Sequence, residues 1–291
     1  MHFLKLAYRV TLEAFRRFNA DDGWAIASHI ALSALMALFP FMLILTGIAG
    51  IIGSRNLADE AGRIILETWP EQVSSTLALE IHSVLASGAG GGVLTVGAAI
   101  ALFFASAGVE ALRISLNRAY DIVDARPWWL TRLESIGYII IAALALLALS
   151  FLVFLAPLIW ATTVKYFPQL QPFGFLITFV RFAVATLVLV VSLVVVHMWL
   201  PAGRRRLRDI MPGVTATLLL WLIVGTVFGR YLADFAFTYS HYYAGLASPM
   251  IAIVFLYFTS SVFIYGGDLN AVIRDFRQAE ARKQKTAHEP D

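Results

Sequence analysis

The chain has 291 residues, of which 59% are hydrophobic and only 14% are charged, against ~25% charged residues in soluble domains. That balance excludes an ordinary soluble domain, and recurring apolar stretches of membrane-crossing length point to a polytopic helical membrane protein. The absence of cysteine excludes disulfides, thiolate metal sites and cysteine nucleophiles. The net charge of +3 does not signal nucleic acid, because the basic residues are spread over four segments instead of gathered on one face.

Residues 1–22 carry Phe3, Leu4, Ala7, Val10, Ala14 and Phe18 at helical spacing, with Lys5, Arg9, Arg16 and Arg17 among them. The pattern predicts an amphipathic helix at the cytoplasmic interface. Asp21-Asp22-Gly23 reads as the N-terminal cap of the first span. That span, 23–52, has no Lys, Arg, Asp or Glu, although about 20 residues suffice to cross a bilayer. His29, Ser33, Met36 and Pro40 recur at i, i+4, i+7, i+11, a polar stripe on one helical face that calls for a protein or water neighbour. The first external loop contains two amphipathic patterns within about 57–87 and ends in Gly88, Gly90, Gly91 and Gly92, read as a joint.

A small-residue span at 93–109 follows, suited to close packing. Its pattern continues through Ser106, Glu110, Arg113 and Asn117 on one face, and Asn117 and Arg118 are spaced to pair with Asp121. Pro127-Trp128-Trp129 marks an interface. Further spans are expected at 136–160, 175–200, 210–229 and 247–270, with Gly225-x-x-x-Gly229 as a close-packing signature in the fifth. The aromatic segment 231–243 reads as an interface belt, and the 276–291 tail as disordered. Lys and Arg number 17 in the N-terminus, the 110–135 and 200–209 loops and the tail, against 4 in the other connections. The bias places both termini in the cytoplasm. The expected fold is therefore an all-α integral membrane protein. Residues 1–275 form a single domain of six transmembrane helices, with amphipathic helices at the N-terminus and in the first periplasmic loop.

Candidate site residues fall into two groups. His29, Ser33, Arg181, Ser261 and Tyr265 are candidates to line a substrate path. His29 and Ser33 otherwise make interhelical hydrogen bonds, and Arg181 otherwise snorkels to the outer interface. Pro40, Glu110, Arg113, Asn117, Asp268 and Asn270 are candidates for gating or for a cytoplasmic ion-pair network, with Pro40 as a kink. No HExxH, GxSxG, P-loop or strand-fed GxGxxG occurs, and no two of the six histidines have metal-binding spacing. No catalytic residue, metal or cofactor is expected.

The order of short motifs carries a resemblance. Asp22-Gly23-Trp24 leads into a helix with Ser33 and Phe39-Pro40; Ser106 precedes Leu116-Asn117-Arg118-Ala119-Tyr120; the chain closes with Tyr257 and Gly266-Gly267-Asp268-Leu269-Asn270-Ala271. From about residue 10 to 275 the chain resembles the YihY/BrkB family of bacterial inner-membrane proteins, formerly called ribonuclease BN. The family usually has Gly-Ala-Glu where this chain has Gly266-Gly267-Asp268, so the acid is kept but shortened. The resemblance implies an inner-membrane protein similar to members discussed as virulence-associated and linked to export of envelope lipid or lipopolysaccharide. The expected function is transport or assisted translocation of an amphiphilic, anionic envelope lipid. The alternative is a non-catalytic envelope scaffold or assembly factor. The expected partners are membrane lipids and envelope-biogenesis proteins, not nucleic acid.

Overall fold

Inside a bilayer a backbone without water must satisfy its own hydrogen bonds, and the apolar runs are helices throughout the computed structural model. Residues 2–52, 91–152, 156–243 and 247–286 are described. The expected helices at 57–87 lie outside them. The helices are α1 (His2–Ala20), α2 (Gly23–Ile52), α3 (Gly91–Ala119), α4 (Trp128–Ser150), α5 (Ala156–Tyr166), α6 (Gly174–Trp199), α7 (Leu207–Tyr243) and α8 (Ala247–Thr286), with a 3-10 turn over Pro168–Phe173. No strand occurs among the described residues. Five stretches there are long and apolar enough to cross a membrane: Val96–Ala119, Trp128–Leu149, Pro168–Trp199, Leu207–Leu232 and Pro249–Ala281; Gly23–Ala37 is a shorter apolar helix.

Several boundaries differ from the sequence reading. The run 136–160 is divided: α4 ends at Ser150 and α5 starts at Ala156. Pro157 sits in the first turn of α5, where its missing N–H costs nothing, instead of near the far end of a span. Gly91 and Gly92 open α3 instead of belonging to a joint. The helix of the last span continues to Thr286, through residues expected to be disordered. The 231–243 aromatic segment continues α7. Helix α2 runs unbroken through Pro40.

The chain divides into two compact units. One contains Met1–Asp21, Arg113–Leu218 and Tyr265–Asp291; the other contains Asp22–Leu112 and Leu219–Ile264. The first unit buries Ala14, Phe18, Leu116, Ala119, Tyr120, Leu200, Ile210, Val214 and Ala271. Within it α4 packs against α6, while long runs of both helices present exposed Leu, Ile, Val and Phe, as lipid-facing helices do. The second unit buries Ala27, Ile30, Ala31, Ala101, Ala111, Phe263 and Ile264. There α2 and α3 approach at a small-residue contact: a Cβ on Gly108 would stand 3.4 Å from Ser33 Cβ. The expected close contact at Gly225 and Gly229 is not formed among the described residues, since a Cβ at either meets nothing within 4 Å. On α7 the close approach is at Gly213.

Candidate functional site

The first unit gathers most of the charge, and the geometry begins with how α3 ends. Asp121 takes a left-handed backbone (φ 53°). The Asp121 N–H donates to Arg118 O at 2.9 Å and the Ile122 N–H donates to Asn117 O at 3.0 Å, the two bonds of a Schellman stop. Ile122 then packs on Ala119, Tyr120 and Ala271. The turn throws residues 122–127 back past α3, so Asn117 meets Asp124 instead of the expected Asp121. Asn117 Nδ2 donates to Asp124 at 3.2 Å, and Asn117 Oδ1 accepts the Ala202 N–H at 2.7 Å. One amide thus ties two connections together. Asp121 lies instead 3.9 Å from Arg17, and Arg118 donates to Asp21 O at 3.3 Å.

Arg126 completes this node. It donates to both oxygens of Asp124 at 2.8 and 2.7 Å, to Glu134 at 2.5 Å and to Leu200 O at 3.2 Å. These bonds from Arg126 hold the Asp124 carboxyl down at about 2, against the burial that raises it. Arg113 stands 3.8 Å from the same carboxylate. Between the 122–127 segment and the 199–203 turn lies an open cleft of about 670 Å³, lined by Ile122, Asp124, Arg126, Pro127, Trp199 and Pro201 among others.

Tyr120 sits beside this node. The Arg205 guanidinium lies 4.0 Å from its ring centre and that of Arg274 lies 5.1 Å away, both within cation–π range. Burial pushes the Tyr120 hydroxyl above the ordinary phenol range, and Arg205 opposes the shift. Arg205 also donates to Pro201 O and Ala202 O, and its own desolvation lowers its affinity for the proton. From α1, Arg17 reaches Asp275 at 3.0 Å and Ala119 O at 3.3 Å.

Helices α7 and α8 meet at glycines. A Cβ on Gly213 would run into the Gly266 carbonyl and the Asn270 side chain, and one on Gly266 into Thr217 Oγ1. Pro212, inside α7, has no N–H to give the carbonyl four residues back. The Arg208 carbonyl accepts from Arg277 at 3.4 Å instead, and the Gly213 N–H donates to Asn270 Oδ1 at 2.6 Å.

Asp268 lies two residues before Asn270 and is 1% exposed. Neither of its oxygens has a hydrogen-bond partner among the described residues. The charges that act on it belong to Asp21, just past α1, and to Arg17 of α1, and Arg17 is already bound to Asp275.

Asn117, Arg113, Asp268 and Asn270 therefore share the first unit. Tyr265 joins them, its hydroxyl donating to Thr11 O at 3.4 Å. The other candidates are placed differently. The helix-one stripe does not share one environment: Ser33 is buried while His29 and Met36 are exposed, because the stripe is wider than the contact with Gly108. Ser261 donates to its own helix, to Tyr257 O at 2.8 Å. Glu110 lies in the second unit. The Pro40 side chain is outside the described residues. Arg181 is half-buried, its Nε enclosed without a hydrogen-bond partner and its guanidinium 4.6 Å from the Phe182 ring centre. It meets no carboxylate among the described residues. The sequence reading did not single out Asp124, Arg126, Tyr120, Arg205 or Arg274 as site residues. The Asp-x-Arg spacing at 124–126 was the one local signal available.

Long apolar helices with a charged network gathered where they end define a multi-pass helical membrane protein. The chain belongs to the virulence factor BrkB family, whose profile matches residues 14–290. It is similar to a ribonuclease-like protein, YfkH, of Bacillus subtilis (strain 168), at 27% identity over 94% of this chain and 95% of the relative. It is also similar to a UPF0761 membrane protein of Rhodospirillum centenum, at 26% identity over 93% of this chain and 59% of that longer relative. No solved structure matches the chain.

Proposed function

We propose that this chain is a transport-type protein of the bacterial inner membrane that moves, or helps to move, an anionic amphiphilic envelope lipid. Both termini lie in the cytoplasm. The orientation rests on the 17-to-4 distribution of Lys and Arg. The transport reading rests on one observation: Asp268 is buried in α8 with neither oxygen hydrogen-bonded among the described residues. An acid inside a membrane helix is costly, and a purely structural one is paired; unpaired, it marks a pathway or a moving part. No three His, Asp or Glu groups gather as metal ligands among the described residues, so the ribonuclease-like name of the Bacillus subtilis relative has no metal-site counterpart there.

The test is translocation of a headgroup-labelled anionic phospholipid in vesicles carrying the purified protein. The native chain accelerates it. Asp268→Asn, an uncharged isostere, lowers the rate by at least about tenfold, the factor that ~1.4 kcal/mol produces. A native protein that moves no lipid sinks the proposal and favours an envelope scaffold.

A further inference from the structure

The cleft beside residues 122–127 and 199–203 is not used by the buried machinery around Asp268. Its walls lie at the ends of α3, α4 and α6, where a spanning helix leaves the hydrocarbon. Around it the chain exposes side chains that water does not favour: Val123 is 93% exposed, Trp128 75% and Trp199 59%. Tryptophan at that level is the mark of the headgroup layer. The carboxylate in the wall is occupied, since both Asp124 oxygens accept from Arg126 and one of them also from Asn117. The cleft therefore offers no free acid to an incoming ammonium or metal.

Cations stand directly after it. Gly203 turns the chain with a left-handed φ of 88°, which glycine adopts without strain. Of the arginines that follow, Arg205 is turned inward onto Tyr120. Arg204 and Arg206, on either side of it in sequence, are exposed, and neither makes a salt bridge to a described residue. An open pocket lined by Trp199 and Gly203, with two exposed arginines that make no salt bridge to a described residue one and three positions further along the chain, is complementary to a phosphate that arrives with acyl chains attached.

We infer that this cleft binds the headgroup of an anionic membrane phospholipid, with Arg204 and Arg206 at its phosphate. The inference extends the transport reading by naming where such a lipid is held, but it needs only binding and no movement.

Native mass spectrometry of the detergent-purified, delipidated full chain tests it, with phosphatidylglycerol, phosphatidylcholine and inorganic phosphate as separate titrants. Phosphatidylglycerol binds about thirtyfold more tightly than phosphatidylcholine, as two arginines near a headgroup imply. The double substitution Arg204→Gln, Arg206→Gln reduces the ratio to within about threefold, whereas Lys165→Gln, an exposed cation on α5, leaves it unchanged. High salt reduces the ratio in the native chain as well, which keeps the test open if the double variant folds poorly. Equal affinity for the two lipids overturns the inference. So does a ratio that survives both the substitution and salt, or displacement of phosphatidylglycerol by inorganic phosphate at equal concentration. Preference without translocation sinks the transport reading and leaves the cleft; translocation without preference does the opposite.

Discussion

Two helix contacts in this protein are built on glycine, and they differ in kind. In the second unit Gly108 of α3 faces Ser33 of α2 with room for a methyl group in ordinary contact, 3.4 Å from the nearest atom. In the first unit Gly213 of α7 and Gly266 of α8 bring backbone against backbone, and no Cβ fits at either. The first contact is apolar filling. The second is closed by a hydrogen bond from the Gly213 N–H to Asn270, and the same unit carries the Asp124–Arg126 node. The same residue type thus does two jobs: where glycine only fills space it is replaceable, and where it lets a backbone donor reach another helix it is not.

Substitutions break the comparison at its strong end first. Gly213→Ala forces a methyl into the Gly266 carbonyl and destabilises the protein by about 3 kcal/mol, the upper range for overpacking where backbone cannot yield. The denaturation midpoint in detergent reads the loss, and an unchanged midpoint removes the crossing from the account. The charged node comes next. Hydrogen bonds from Arg126 hold the Asp124 carboxyl at about 2, below its ordinary 3.8. A depressed acid stabilises the fold fully above its unfolded value and loses that contribution as pH falls from there through about 2. Asp124→Asn accordingly lowers stability at neutral pH by on the order of 1 kcal/mol and flattens the acid limb of a stability–pH curve. A variant with the native acid limb assigns that limb to other groups. Ser33, Gly108 and Ile30 at the weaker contact do not titrate. The smallest change is Gly108→Ala, which stays within about 1 kcal/mol of the native chain and on the stabilising side, because alanine favours helix. A large loss there would make the two contacts alike.

The apolar runs were legible because membrane helices announce themselves by length. Asn117, Asp268 and Asn270 were legible through the order of their motifs. What the motifs did not carry is pairing. Asn117 was read against Asp121, its helical neighbour, whereas the left-handed turn at Asp121 turns that residue aside and brings Asp124 forward. A non-glycine in that conformation gives no local warning. Arg17 and Arg274 counted only as topology charges, because one meets a partner 258 positions away and the other stacks on a ring 154 positions away. Gly225 and Gly229 matched a packing signature, yet a Cβ at either meets nothing within 4 Å among the described residues. Gly213-x-x-x-Thr217 is a small-xxx-small spacing, but its complement Gly266 lies on another helix, which no one-helix pattern reveals.

The separation between Arg17 and Asp275 has a consequence for how the protein is made. A ribosome adding roughly 5–20 residues per second needs about 13–52 s to travel from one to the other. Throughout that interval Arg17 exists without Asp275, and Asn270 reaches Gly213 only near its end. The Arg17–Asp275 and Gly213–Asn270 contacts therefore close last, when α8 arrives, whereas the Asn117–Asp124–Arg126 node consists of residues made earlier. A chain cut short before α8 keeps spans that insert and the residues of the Asp124–Arg126 node, but it lacks the partners of Arg17 and Gly213.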